Sequence, residues 1–166
     1  AATRVKIDRL IVYAPFWKLP GPLWAALPVL RHILPRVKPM RIMKPDFNNP
    51  QFREGLAEFL PGIDIDDPAI REQILDFALP IGLFDEIRKA GQMGYRAIPK
   101  QSAPTLILQG RSDNLVNLKF TRANLKHYPV PVTYAEFDGG HDLYDPSKPA
   151  WGAVQEQVKL FAEQLL

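Results

Sequence analysis

The sequence predicts an α/β fold, with three parallel strands and a helical block inserted after the first of them. Three observations carry this prediction. Residues 9–14 (RLIVYA) and 105–109 (TLILQ) are short, almost unbroken apolar runs, the pattern of strands buried on both faces. Residues 132–137 (VTYAEF) form a third run with partial alternation. A helical pattern follows each of the last two runs, and strand–helix–strand–helix order favours a right-handed parallel βαβ unit.

The first run ends at Pro15. Residues 16–100 then change character and read as short helices joined by stiff, proline-rich turns. Asn49-Pro50 caps one helix, with Phe52, Leu56 and Phe59 on one face. Asp67-Pro68 caps a second, with Ile70, Ile74 and Phe77 on one face. Residues 83–92 suggest a short third. Pro104 launches the second strand and Gly110 stops it. Residues 117–128 predict a helix with Leu118, Thr121 and Leu125 on one face. After the third strand, Ser147 is the expected N-cap of a last helix, whose apolar stripe is Trp151, Val154, Val158, Phe161 and Leu165. The domain assignment is residues 1–15 and 101–166 as the core, with 16–100 as the insertion.

Composition narrows the function classes. Among 166 residues, 46% are hydrophobic and 23% charged, which places the chain with globular proteins rather than disordered ones. The net charge of +3 comes from 21 basic and 18 acidic residues with no basic run of five, which argues against a nucleic-acid partner. There is no cysteine, so disulfides and thiolate metal sites are excluded. The longest apolar stretch, residues 19–30, is broken by Pro20, Gly21, Pro22 and Pro28 and cannot span a bilayer. No signal peptide is visible, and a cytoplasmic compartment is the expectation.

Two loops carry the chemistry. Gly110-Arg111-Ser112-Asp113 follows the second strand, and Gly139-Gly140-His141-Asp142 follows the third. Ligand sites of open α/β sheets lie at the carboxyl ends of strands. A carboxylate and an imidazole on adjacent strand ends can meet there, and the carboxylate then fixes the histidine tautomer and stabilises the imidazolium.

PTLILQGRSDNLV resembles the acid-bearing strand and turn of the α/β-hydrolases, with Asp113 in the acid position, and FDGGHDL resembles their histidine loop, with His141 in the base position. The order acid then histidine matches that family, whose nucleophile comes first. RLIVYAP resembles the strand after the nucleophile elbow, and residues 16–100 occupy the place of the family's lid. The resemblance therefore covers the chain as the C-terminal half of such a domain. It implies a serine esterase acting on a hydrophobic acyl group, of the monoacylglycerol-lipase or lysophospholipase type. It implies no metal and no organic cofactor.

One part of the family pattern is missing. There is no G-x-S-x-G, and the only serines are Ser102, Ser112 and Ser147. Without nucleophile and oxyanion hole, the 166 residues alone are expected to be inactive. An aspartate nucleophile (a dehalogenase or epoxide hydrolase), a cysteine nucleophile, and a non-catalytic α/β-hydrolase-like fragment are the alternatives. The first strand would present an open edge, to be covered by the missing half, by a second copy or by rearranged lid helices.

Each candidate has a plainer reading. Asp113 fits an ordinary turn. Asp138 is the reserve acid, though it reads better as a loop carboxylate. His32 and His127 lack partners at metal-ligand spacing and read as surface or lid histidines. Asp64, Asp66 and Asp67 lack the glycine and glutamate of a calcium loop, and Asp67 reads better as an N-cap. Trp17, Leu23, Trp24 and Leu27, within an apolar cluster reaching Leu34, are candidates for the acyl-binding wall. They serve equally as packing inside the lid, and lipid contact, if any, would run through this block.

Overall fold

The computed structural model describes residues 6–17, 22–60 and 62–163, and the side chains of Leu23, Gln51, Glu58 and Phe59 lie outside the description. In chain order the elements are β1 (Leu10–Tyr13), α1 (Pro22–Ile33), β2 (Arg36–Val37), α2 (Pro39–Met43), α3 (Pro50–Phe59), α4 (Pro68–Asp76), β3 (Leu79–Pro80), α5 (Ile81–Ala97), β4 (Thr105–Gly110), α6 (Leu118–Leu125), β5 (Val132–Phe137) and α7 (Trp151–Glu163). They form two compact units, Ala1–Leu19 with Arg88–Leu166, and Pro20–Ile87.

The first unit is built on a sheet of order β1-β4-β5, parallel throughout, with Leu10 opposite Thr105 and Gly110 opposite Phe137. The central strand β4 is buried at all six residues, in keeping with its largely apolar, non-alternating sequence. One face of it, Leu106 and Leu108, packs with Leu143, Val154 and Phe161, and Trp151 and Val158 close the cluster. The stripe expected on the last helix is thus the core-facing side of α7; Leu165 lies outside the described residues. Arg122 reaches across from α6 with paired 2.7 Å bonds to Glu136 of β5, and this guanidinium holds the Glu136 carboxyl below its usual range.

Several expectations are corrected. β1 is only half-buried, with Tyr13 exposed, because among the described residues it pairs on one side alone. The helix expected over 83–92 runs Ile81–Ala97, and residues 88–100 group with the sheet rather than with the insertion. Gly91 explains the grouping. A Cβ there would fall 2.6 Å from the Trp17 carbonyl oxygen, so α5 lies directly against the backbone that leaves β1. Residues 16 and 17 accordingly also belong to this unit. Ser147 does not cap α7. It bonds through its N–H and Oγ to Asp145 Oδ1, both at 2.8 Å, while the helix begins at Trp151.

In the second unit Asp67 caps α4 as expected, accepting from the Ala69 N–H at 2.8 Å. Asn49 accepts from the Phe52 N–H at 3.2 Å at the start of α3. Ile74 is buried, but Phe77 is 61% exposed, because it sits beyond the last turn of α4 in a non-helical conformation. Asp66 is engaged by Arg53 and Arg71 at 2.8–2.9 Å, which holds its carboxyl below the usual range. Arg31 pairs at 2.8 Å with Asp85, whose side chain is 1% exposed. The antiparallel pair β2–β3 has no sequence signature, since two-residue strands are too short to show a period.

Candidate active site

Because β4 and β5 are parallel, both carboxyl ends open on the same side of the sheet. The ladder continues past the strands: the Arg111 N–H donates to the Phe137 carbonyl at 2.8 Å and the Ser112 N–H to the Gly139 carbonyl at 3.0 Å. These bonds hold the two chemistry-bearing loops side by side. Leu143, 2% exposed, plugs the histidine loop into the core. Lys148 pairs with Asp142 at 2.8 Å on the way to α7.

Asp113 uses its two carboxylate oxygens differently. Oδ1 accepts the N–H groups of Leu115 and Val116, each at 2.8 Å, which is the turn chemistry anticipated for this residue. Oδ2 lies 3.0 Å from His141 Nδ1. The turn reading and the site reading therefore hold together. The Asp113 side chain is fully buried and that of His141 is 38% exposed, so the acid is shielded and the imidazole is accessible. Nδ1 is committed to Asp113, which leaves Nε2 for a proton. Asp138 is not the partner: its side chain is 90% exposed and paired with Arg111.

Sequence reasoning misses Gln109. It is fully buried, and its Nε2 donates to the Val116 carbonyl at 2.9 Å. An amide closing an otherwise apolar strand is the available signal. Gly110 reads in the sequence only as a strand stop, yet a Cβ on it would overlap the Gly139 and Gly140 carbonyl oxygens.

The remaining candidates fall as follows. Trp17 is 9% exposed and lines a cavity of about 330 Å³ with Leu10, Val12, Phe16, Gly94 and Tyr128. Trp24 is half-buried and Leu27 is 7% exposed, both on α1 in the second unit. Leu23 is also on α1, with its side chain outside the description. His127 borders a separate cavity of about 450 Å³ with Tyr95, Arg96, Pro99 and Lys100, and His32 is exposed on α1. Of the serines, Ser112 is exposed in the acid loop and Ser147 is bound to Asp145. Among the described residues no helix is long and apolar enough to cross a membrane.

No family model matches the sequence, and no curated protein matches it. Solved structures do. A monoacylglycerol lipase from Paleococcus ferrophilus matches at TM-score 0.56 and 20% identity, over 92% of this chain and 57% of that one. A soluble variant of monoglyceride lipase from Saccharomyces cerevisiae, in complex with a substrate analog, matches at 0.60 and 15%, over 96% and 54%. DcsB, in complex with its substrate analogue, matches at 0.63 and 13%, over 98% and 59%. The fold is that of the α/β-hydrolases, and the chain spans a little over half the length of these solved chains.

Proposed function

We propose that the chain supplies the acid and the general base of a serine hydrolase that cleaves carboxylic esters with a hydrophobic acyl group. The observation that carries this is the 3.0 Å contact between His141 Nδ1 and the fully buried Asp113 Oδ2, on adjacent parallel strand ends. The nucleophile comes from sequence outside these residues. In the mechanism, His141 Nε2 takes the serine proton as the serine oxygen bonds to the acyl carbon. The proton passes to the alkoxide oxygen as the ester C–O bond breaks, and the alcohol leaves. Water then attacks the acyl-enzyme, gives its proton to Nε2, and the serine oxygen recovers it as the acid departs. Asp113 keeps the imidazole in the Nδ1–H tautomer and stabilises its charged form at each transfer.

The hydrophobic acyl group is supported by the lipase names among the matching structures and by the apolar character of Trp17, Trp24 and Leu27. Val29, Ile33, Ile42 and Met43 expose 62–71% of their surface in the second unit, which suits a lid that meets an apolar substrate or a lipid surface. The free edge of β1 takes up the rest of the sheet in the longer protein.

The test is labelling of the longer gene product with a serine-reactive fluorophosphonate. Labelling that His141→Ala abolishes supports the reading; a folded longer protein that takes no label overturns the serine nucleophile. The 166-residue chain alone should give no burst on a chromogenic ester.

A further inference from the structure

The acid loop is held from beneath by one buried side chain. Gln109 is the last but one residue of β4, and it faces the interior in a strand that is otherwise apolar apart from Thr105. Its Nε2 donates at 2.9 Å to the carbonyl of Val116, itself only 4% exposed. The N–H of that same Val116 donates at 2.8 Å to Asp113 Oδ1, beside the N–H of Leu115. Asp113 Oδ2 then meets His141 Nδ1 at 3.0 Å. The amide, the turn, the carboxylate and the imidazole form one continuous chain of hydrogen bonds.

Stability alone does not account for glutamine here. Among the described residues Gln109 Oε1 is buried without a hydrogen-bond partner, which is destabilising. A methionine would match the length of the side chain and bury no unpaired amide oxygen. What methionine lacks is the donor to Val116. We infer that Gln109 is a positioning residue for the acid: by holding Val116 at its carbonyl it restrains the adjoining peptide whose N–H holds Oδ1, and so aims Oδ2 at the imidazole. The meaning of this for catalysis rests on Asp113 and His141 being the acid and base.

The chain itself carries the decisive experiment, hydrogen exchange of single amides in Gln109→Met. The expected result is at least a tenfold loss of protection at Leu115 and Val116, with Leu106 and Leu108 changed less than twofold. The downfield Nδ1–H signal of His141 weakens or moves upfield in parallel. Thr121→Val, at an equally buried hydroxyl of α6 outside this chain of bonds, leaves both readouts unchanged. A change that is uniform over strand and loop would mean that Gln109 merely supports the fold, and would overturn the inference. No change at either place would also overturn it. If Gln109→Met does not fold, the unsubstituted chain decides. One Gln109 side-chain N–H must exchange slowly, and rapid exchange of both ends the proposal. In the longer enzyme Gln109→Met lowers kcat with KM little changed. Should Asp113→Asn leave ester turnover intact, the catalytic assignment fails while the exchange result on Gln109 still stands by itself.

Discussion

Gly110 and Gly140 approach so closely that a Cβ on Gly110 would stand 2.0 Å from the Gly140 carbonyl oxygen. The Gly139 carbonyl oxygen would lie at 2.4 Å from the same atom. Both obstacles are backbone, so no side-chain rotation can relieve them. Only glycine lets the two strand ends stay in contact through their loops, and that contact is what puts Asp113 within reach of His141.

Gly110→Ala therefore pushes the acid and histidine loops apart. We expect a loss of about 1–3 kcal/mol or more in chemical denaturation, together with loss of the His141 Nδ1–H signal. Gly152→Ala is the control. A Cβ on Gly152 meets nothing within 4 Å, and alanine there should raise helix stability by up to about 1 kcal/mol. A Gly110→Ala variant as stable as the parent would show that the loops can separate freely.

On the proposed serine-hydrolase reading, replacing Asp113 and replacing His141 should have unequal consequences for ester turnover by the longer gene product. Asp113→Asn keeps the shape but favours the wrong tautomer, with a fall of about 10⁴-fold in kcat. His141→Ala removes the proton carrier, with a fall of about 10⁶-fold. The double variant should be little worse than His141→Ala, because residues acting as a unit are not additive. Additive losses, measured as steady-state ester turnover, would contradict the pairing.

Asp76 predicts a pH dependence in the second unit. Hydrogen bonds from Arg41 at 2.6 Å, and then from Lys38 at 2.9 Å, lower its carboxyl to about 2. The folded value lies below that of an unfolded aspartate, about 3.9. The contribution to stability is therefore complete above pH about 4 and is lost as the pH falls through about 2. Arg41→Ala should move the titration of the Asp76 carboxyl, followed by its carbon resonance, up toward that of an ordinary aspartate, with Lys38 retaining part of the effect. Because the cluster is exposed, added salt should weaken the effect. A titration unmoved by Arg41→Ala would refute the assignment.

The free edge of β1 predicts association of the 166-residue chain. Among the described residues its backbone groups are paired to β4 alone, and the open side is a template for another strand. Sedimentation should show a size that grows with concentration. Ile11→Pro, at the centre of β1, should oppose it by breaking the edge pattern. A chain that stays monomeric at all concentrations would show the edge to be covered from within.

How much was legible beforehand differs from element to element. The strand TLILQ announced itself because a strand buried on both faces is mostly apolar rather than alternating, and β4 is buried at every position, with Thr105 and Gln109 the polar exceptions. Asp67 and Asn49 were readable as caps because capping is decided within four residues. The extent of α5 was not, since Gly91 and Gly94 look like helix breakers in sequence and prove to be the places where Trp17 packs against the helix. Ser147 failed as a cap because Asp145, two residues away, competed for it.

The sequence by itself determined the three strands of the parallel sheet, their order along the chain, and the two loops in which an aspartate and a histidine follow strand ends. Those features depend on local composition and on a spacing of a few residues. It also determined that no G-x-S-x-G is present. Only the tertiary structure decided that Oδ2 of Asp113, not the carboxylate of Asp138, faces His141, and that Gln109 stands behind the turn. The physical reason is range. A cap or a strand is settled by neighbours in the chain, but a hydrogen bond between residues 113 and 141 exists only once parallel pairing has aligned β4 with β5 and two glycines have allowed their loops to touch.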